Sequence, residues 1–336
     1  MKGDTKSRLY AVEGATAVPE VAPERQLPDA ADAAAGVADA PGDPLPDVRG
    51  RKAKTYGPLA DPALEEMVRR YDEDRWLASR FAPKALRQQL IALYAFNVEV
   101  ASVSEKVSEP RLGEIRLQWW RDTVDTIFHG GPTPDHPVMR ALADLRAQAE
   151  LPLDIFDVML TARVSDLSRA PFDNWSDVDN YIDATDGGLM RMAAMLCQPT
   201  VPISPQRGAA LQAAARAWGY VNLLRSMTSW TAQQRTFFPR ALRASIGLGA
   251  DPAEIDDAGI AIAAHATLDR ANGAQKNLER FATALGKELF PAVGYAALTP
   301  LYVREQSQRE LGQIRKPVSL LQRQLRLVGA AAKGHV

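Results

Sequence analysis

The chain has 336 residues, 46% of them hydrophobic and 24% charged, with a formal net charge of -1. That composition excludes a fibrous or wholly disordered chain, and the near-neutral balance gives no general attraction to nucleic acid, so no nucleic-acid partner is expected. Cys197 is the single cysteine, which excludes an intrachain disulfide and a cysteine-rich metal site.

Residues 1–56 are rich in Ala, Pro, Asp and Gly and carry no sustained period, as expected of a disordered leader. The N-terminus shows no apolar segment after its first charges, so a secretory signal is not expected. No apolar run reaches the ~18 residues of a membrane span. The texture then changes. Asp61-Pro62 reads as an N-cap followed by proline at the first helical position. Leu64, Met67, Val68, Tyr71 and Arg75 recur at helical spacing after it. Pro83 opens a long stripe through Leu86, Leu90, Leu93, Tyr94, Asn97, Val98 and Ala101. A further helix follows Pro110 and stops near Gly130-Gly131. Residues 137–149 and 153–168 give two more. Ser176 with Asp179 reads as a capping box. Residues 205–228, 253–285 and 289–310 complete the pattern. Alternating β patterns are absent, so the expectation is one all-α domain over 57–328 with a flexible tail at 329–336.

Two segments carry the chemical information. The first is Tyr94-Ala95-Phe96-Asn97-Val98-Glu99-Val100-Ala101-Ser102-Val103-Ser104-Glu105. The second runs from Asn222 to Trp230 and is followed by Arg235-Thr236-Phe237-Phe238-Pro239. Both resemble signature motifs of the squalene/phytoene synthase family. In that family each motif reads Asp-x-x-x-Asp; here those positions hold Ala101 and Glu105, then Ser226 and Trp230. A diphosphate leaving group needs hard divalent cations on oxygen ligands. Carboxylates at i and i+4 project from one helix face, and two such helices can hold the ions that neutralise the leaving oxygens. Ala101 has no ligand atom. Ser102, Ser226 and Ser229 offer neutral hydroxyls, and Trp230 fills the place of a carboxylate. Glu105 alone keeps its charge, which is too little for the usual metal cluster.

The resemblance continues in Trp76 to Pro83, although Asp74-Arg75 stand where the family has Ser-Phe. It continues in Tyr181 to Gly188, where Tyr181 matches a tyrosine facing the prenyl pocket. Asn222 and Arg225 match the second motif. The glutamine three positions before that asparagine is Gly219, and the arginine three positions before the first aspartate is Val98. The stretch from Ala95 to Glu99, then Val107-Ser108-Glu109, Gly113, Arg116, Gln118-Trp119-Trp120 and Thr123-Val124 is similar to the noncatalytic branch of the family. That branch includes a mitochondrial assembly factor for respiratory complex I.

The resemblance implies an isoprenoid synthase-like all-α bundle around a central cavity, with no catalytic residue, no metal and no cofactor. It implies an assembly or binding role on a membrane complex, with a complex subunit as partner and a prenyl or lipid ligand in the retained cavity. The implied location is cytoplasmic, with peripheral contact at the inner membrane. Tyr181, Asn222, Arg225, Val98, Gly219, Asp183 and Asp186 are the pocket candidates. The competing reading is a divergent prenyltransferase using Mg²⁺, carried by Glu105, Asp183, Asp186, Tyr181, Asn222 and Arg225. It expects acidic side chains to converge on one cavity.

Other residues have plainer expectations. Trp119 and Trp120 point about 100° apart on a helix, so one is core and the other part-exposed. Glu99, Glu105 and Glu109 read as a solvated acidic face. Asp183 and Asp186 stay open between the cavity and an ordinary helix surface. His129 and His136 match no zinc spacing and read as capping or exposed residues, while His265 reads as a packed helix residue. Cys197 reads as a small buried group. The stretch from Arg315 to Leu327 is basic and amphipathic, fitting either a membrane surface or a last packed helix.

Overall fold

A computed structural model of the chain describes residues 61–249, 251–281, 283–310 and 317–334. The leader expected at 1–56 lies outside the described residues. Those described form α1 (Pro62–Tyr71), α2 (Glu73–Ser79), α3 (Lys84–Ala101), α4 (Pro110–Phe128), α5 (Pro137–Gln148), α6 (Leu153–Arg163) and α7 (Trp175–Ala184). They continue with α8 (Asp186–Cys197), α9 (Pro205–Ala232), α10 (Arg240–Ser245), α11 (Asp257–Glu279), α12 (Phe290–Val293), α13 (Thr299–Glu310) and α14 (Leu320–Lys333). No strand occurs among the described residues, and no helix among them is long and apolar enough to cross a membrane.

Local chemistry sets most helix starts. Asp61 accepts from the Ala63 amide at 2.9 Å, with Pro62 following it. Ser204 caps α9 ahead of Pro205. Pro110 and Pro137 open α4 and α5. Proline suits these positions because the first-turn N–H has no helical partner to lose. The capping box of α7 lies two residues before the expected Ser176. Asn174 accepts from the Ser176 and Asp177 amides, and Asp177 accepts in return from the Asn174 amide. Ser176 therefore sits inside the first turn, behind a stronger capping residue. The expected helix over 289–310 is broken into α12, a 3-10 turn at Gly294–Leu298 and α13. Pro300 has no N–H to continue the ladder, so it falls in the first turn of a new helix.

The core is built around α9, which packs on α7, α8, α11 and α13. Ala210, Ala213, Ala214, Ala215 and Ala217 are all buried in it. Alanine is the best helix former and lets neighbouring helices approach closely. Trp120 is buried at 2% while Trp119 stays 41% exposed, so the pair divides as its angular spacing dictates.

Three further expectations change. His265 is exposed on α11 and stands 3.8 Å from Asp269, one turn on; it is not packed, because the buried side of α11 is formed by Ala263, Ala264, Thr267 and Leu268. The tail boundary moves, because α14 runs on to Lys333 with Leu327 and Ala330 buried. Gly334, at φ 77°, ends it in the left-handed conformation. The orientation of α14 is also unlike a helix with a solvated basic face. Arg323 turns inward to Glu73 and Asp74, and Arg326 donates to the Ala297 carbonyl. Leu321, Leu325 and Val328 are exposed instead.

Candidate functional site

The two motif segments face each other across one cavity of about 250 Å³. Asn97, Val98, Ala101, Ser102 and Glu105 line one side. Asn222, Ser226, Ser229 and Trp230 of α9 line the other, and Tyr181 and Asp186 add to the wall. The first segment is not one continuous helix. The α3 helix ends at Ala101, and Glu105 lies on a 3-10 turn, Val103–Glu105. The i and i+4 projection of an intact motif is therefore lost together with the first carboxylate.

Apart from Ala101, which only lines the cavity, the altered motif positions have other uses. Ser102 Oγ donates to the Glu99 carbonyl at 2.9 Å, and Ser226 Oγ to the Leu223 carbonyl at 3.0 Å. Both hydroxyls are thus committed to their own backbone. Glu105 accepts from Ser229 Oγ at 2.9 Å, which joins the two segments directly. Trp230 is 8% exposed and stands edge-on to Phe237, with the Arg235 guanidinium 5.2 Å from its ring centre.

The cavity also holds charges that sequence reasoning missed. Arg75 donates to Asp72 at 2.8 Å and to Asp186. Arg163 donates to Asp166 at 3.2 Å, to the Tyr181 hydroxyl at 2.8 Å and to Asn97 at 3.3 Å. Tyr181 in turn donates to Asp166 at 2.7 Å. Burial pushes the Asp166 carboxyl up, against the pull of Arg163 and the Tyr181 hydroxyl. Arg235 donates to the Asp166 carbonyl and to Gln233, and burial draws its guanidinium down.

Four carboxylates therefore converge on the cavity, namely Asp72, Asp166, Asp186 and Glu105. Three are held by arginines and the fourth by Ser229. Among the described residues no group of three or more acidic, histidine or cysteine side chains is arranged to hold a metal ion. A hard-cation pair needs several free carboxylate oxygens. The donor set present does not fit one.

Three pocket candidates do not reach the cavity. Arg225 turns to Asp74 at 3.1 Å and lies 4.1 Å from the Tyr302 ring centre. Asp74 is buried and accepts also from Tyr302 at 2.6 Å and Arg323 at 2.9 Å, so it draws the arginine away. Asp183 pairs with Arg216 at 2.6 Å and accepts from Gln212, on the side of α7 away from the cavity. A Cβ at Gly219 would lie 2.4 Å from Ile182 Cγ2, so Ile182 occupies the room a side chain there would need. Trp218 packs edge-on against Tyr295 and Tyr302, with ring centroids 5.1 and 6.0 Å apart. In sequence, only the i, i+3 spacing of Asp72–Arg75 and Arg163–Asp166 hints at the missed pairs.

Gly219→Ala tests this packing by sign. In an open helix the change stabilises by roughly 0.5–1 kcal/mol. Here overpacking against Ile182 is expected to reverse it to a loss of about 1–3 kcal/mol, measured by urea unfolding. A gain would mean that Ile182 moves aside freely.

Known proteins give a consistent background. A family model described as squalene/phytoene synthase matches residues 68–322. The chain is 32% identical over 151 residues to NADH dehydrogenase (ubiquinone) complex I, assembly factor 6, of Homo sapiens, covering 44% of this chain and 45% of that protein. It is 22% identical over 230 residues to the homolog of that factor in Dictyostelium discoideum, covering 68% of this chain and 63% of that one. The chain thus spans less than two thirds of these relatives' length. The crystal structure of squalene synthase HpnC from Alicyclobacillus acidocaldarius superposes with a TM-score of 0.62 at 19% identity, covering 75% of this chain and 94% of that one. At that identity the likeness concerns the fold.

Proposed function

The chain belongs to the squalene/phytoene synthase family, and from that premise we propose that it is a noncatalytic member acting as an assembly factor for a membrane respiratory complex of the complex I type. Its partner in this reading is a subunit of that complex, met at the inner membrane by peripheral contact. No metal or cofactor takes part.

One observation carries the noncatalytic half: the motif segments are tied to each other, by Ser229 on Glu105, where the family pattern would place ion-binding carboxylates. The arginine pairs support it, since Asp72, Asp166 and Asp186 already have cationic partners. A cation competing for them would have to break partly or fully buried ion pairs, which is strongly unfavourable. The transferase alternative finds its acidic cluster in part, but its Asp183 and Arg225 lie elsewhere and its acids are engaged. The assembly half rests on the likeness to complex I assembly factors in human and Dictyostelium.

Two measurements test the reading. The purified full chain with farnesyl or geranylgeranyl diphosphate and Mg²⁺ is expected to release no diphosphate; turnover above a no-protein control would overturn it. A gene deletion is expected to deplete assembled complex I on native gels. Intact complex I with altered hopanoids or carotenoids would point to the transferase instead.

A further inference from the structure

The α14 helix is inverted relative to one that only closes a fold. Leu321, Leu325, Val328 and Ala332 recur at i, i+4, i+7 and i+11, which places them on one face along about 16 Å of helix. That face is turned to solvent: Leu321 and Leu325 are each 63% exposed and Val328 57%. Leu320 beside them is exposed too. On the inner side Leu327 and Ala330 are buried. Arg323 fixes this orientation through its ion pairs with Glu73 and Asp74. Rolling the leucines inward would break those pairs and strand the buried Asp74. An apolar stripe held open in this way marks an interaction surface.

Charge points to the partner. From Leu311 to Val336 the sequence carries five basic side chains, Arg315, Lys316, Arg323, Arg326 and Lys333, and no acidic one, although the whole chain is at -1. Arg326 and Lys333, seven residues apart, are exposed on one flank of the stripe. Exposed Lys287 lies along Gly334 at the helix end, while Glu288 beside it folds over Gly286. Glu73 and Asp74 are taken up by Arg323. An apolar face with a basic flank seats a helix in the plane of an anionic bilayer, where acyl chains take the leucines and phosphates the cations. The α4 helix gives the contrast. Leu112, Ile115 and Trp119 are exposed on it, but Arg111, Arg116 and Arg121 are matched by Glu114, Asp122 and Asp125, so it has no net pull on an anionic surface.

We propose that α14 is a membrane-docking helix, seated by its leucine stripe on an anionic phospholipid bilayer. It gives the peripheral contact of the assembly reading a surface, and rests on that reading only for which membrane is met. The lipid contact needs no partner subunit. Its loss would therefore be told apart from failure of the assembly reading, which the level of complex I in the deletion strain decides.

The test is flotation of the purified full chain with vesicles of phosphatidylcholine, alone or with about one-third phosphatidylglycerol. The chain is expected to float with the anionic vesicles and to bind the neutral ones at least about 10-fold more weakly, since each cation near such a surface contributes roughly 5-fold. Leu321→Gln with Leu325→Gln is expected to lower affinity for anionic vesicles at least about 10-fold. The melting temperature should stay within about 2 °C of wild type, because both positions are exposed. Lys287→Gln with Lys333→Gln is expected to weaken binding to anionic vesicles about 10-fold and leave neutral ones unchanged. Leu112→Gln with Ile115→Gln on α4 is expected to change nothing. Absence of flotation by the wild type overturns the proposal. So does equal binding to both kinds of vesicle, or binding that survives the paired leucine changes in α14, or an equal loss from the α4 pair. A solution dimer that the α14 leucine pair dissociates, without flotation, would assign the stripe to a second copy of the chain instead.

Discussion

Asp74→Asn is expected to lower the melting temperature by about 10 °C. Asp74 is 3% exposed and its two oxygens accept from Arg225, Tyr302 and Arg323. Asparagine keeps the shape but loses the charge and one acceptor, so the effect is electrostatic and leaves no cavity. Removing one partner of a buried ion pair leaves the other charge uncompensated, at about 3–5 kcal/mol. The Arg323 side chain is only 12% exposed but keeps Glu73 as a partner after the change, and that of Arg225 is 31% exposed and partly solvated, so the loss falls at the lower end of this range. For a domain of this size each kcal/mol shifts the melting temperature by roughly 2–4 °C. Calorimetry of the full chain reads the effect directly. Hydrogen exchange is expected to rise first in α14, since Arg323 is its anchor. A fall of less than about 3 °C would show that water compensates both arginines and that the pairing is marginal.

Trp230→Asp, which restores the family residue at one motif position, is expected to destabilise by about 3–5 kcal/mol. The indole is 8% exposed and packs on Phe237. Its removal opens a cavity, and the new carboxylate enters a largely buried place. Arg235 lies against the indole and would recover part of the loss by pairing with the aspartate. That same pairing keeps the new acid from a metal ion. Restoring aspartate at Ala101, Glu105 and Ser226 as well is expected to give no Mg²⁺-dependent diphosphate release. Thermal unfolding and a diphosphate-release assay check the two halves separately. Turnover by the restored protein would mean that the missing aspartates alone silence the cavity and that the arginine pairs are incidental.

The contrast between the legible and illegible parts of this molecule follows the range of the interactions. Helix starts at Pro62, Pro110, Pro137 and Pro205 were readable because a cap and a first-turn proline act within four residues. The degenerate motif positions were readable as residue types for the same reason. What a helical residue faces depends on which helix packs against it, and sequence spacing does not carry that. Arg225 looked like a pocket residue and answers to Asp74, 151 positions away. Asp183 and Asp186 lie three positions apart, yet the break at Thr185 puts them on α7 and α8, and one pairs with Arg216 and the other with Arg75. Arg75, Arg163 and Arg235 were ordinary charges until folding brought them to one cavity. The early end of α3 at Ala101 was hidden too, because nothing in Ser102 to Glu105 forbids another turn of helix.

The contact between Gly219 and Ile182 also bears on reversibility. A return to the family pattern at position 219 would insert glutamine where Ile182 Cγ2 already stands 2.4 Å from the site of a Cβ. Trimming Ile182 first would empty a fully buried position. Adding the glutamine first would collide with it. Either order passes through a protein less stable than the one that began, so drift one residue at a time meets a barrier on the way back. The packing works as a ratchet: even a lineage that regained its aspartates would find the old architecture closed behind it.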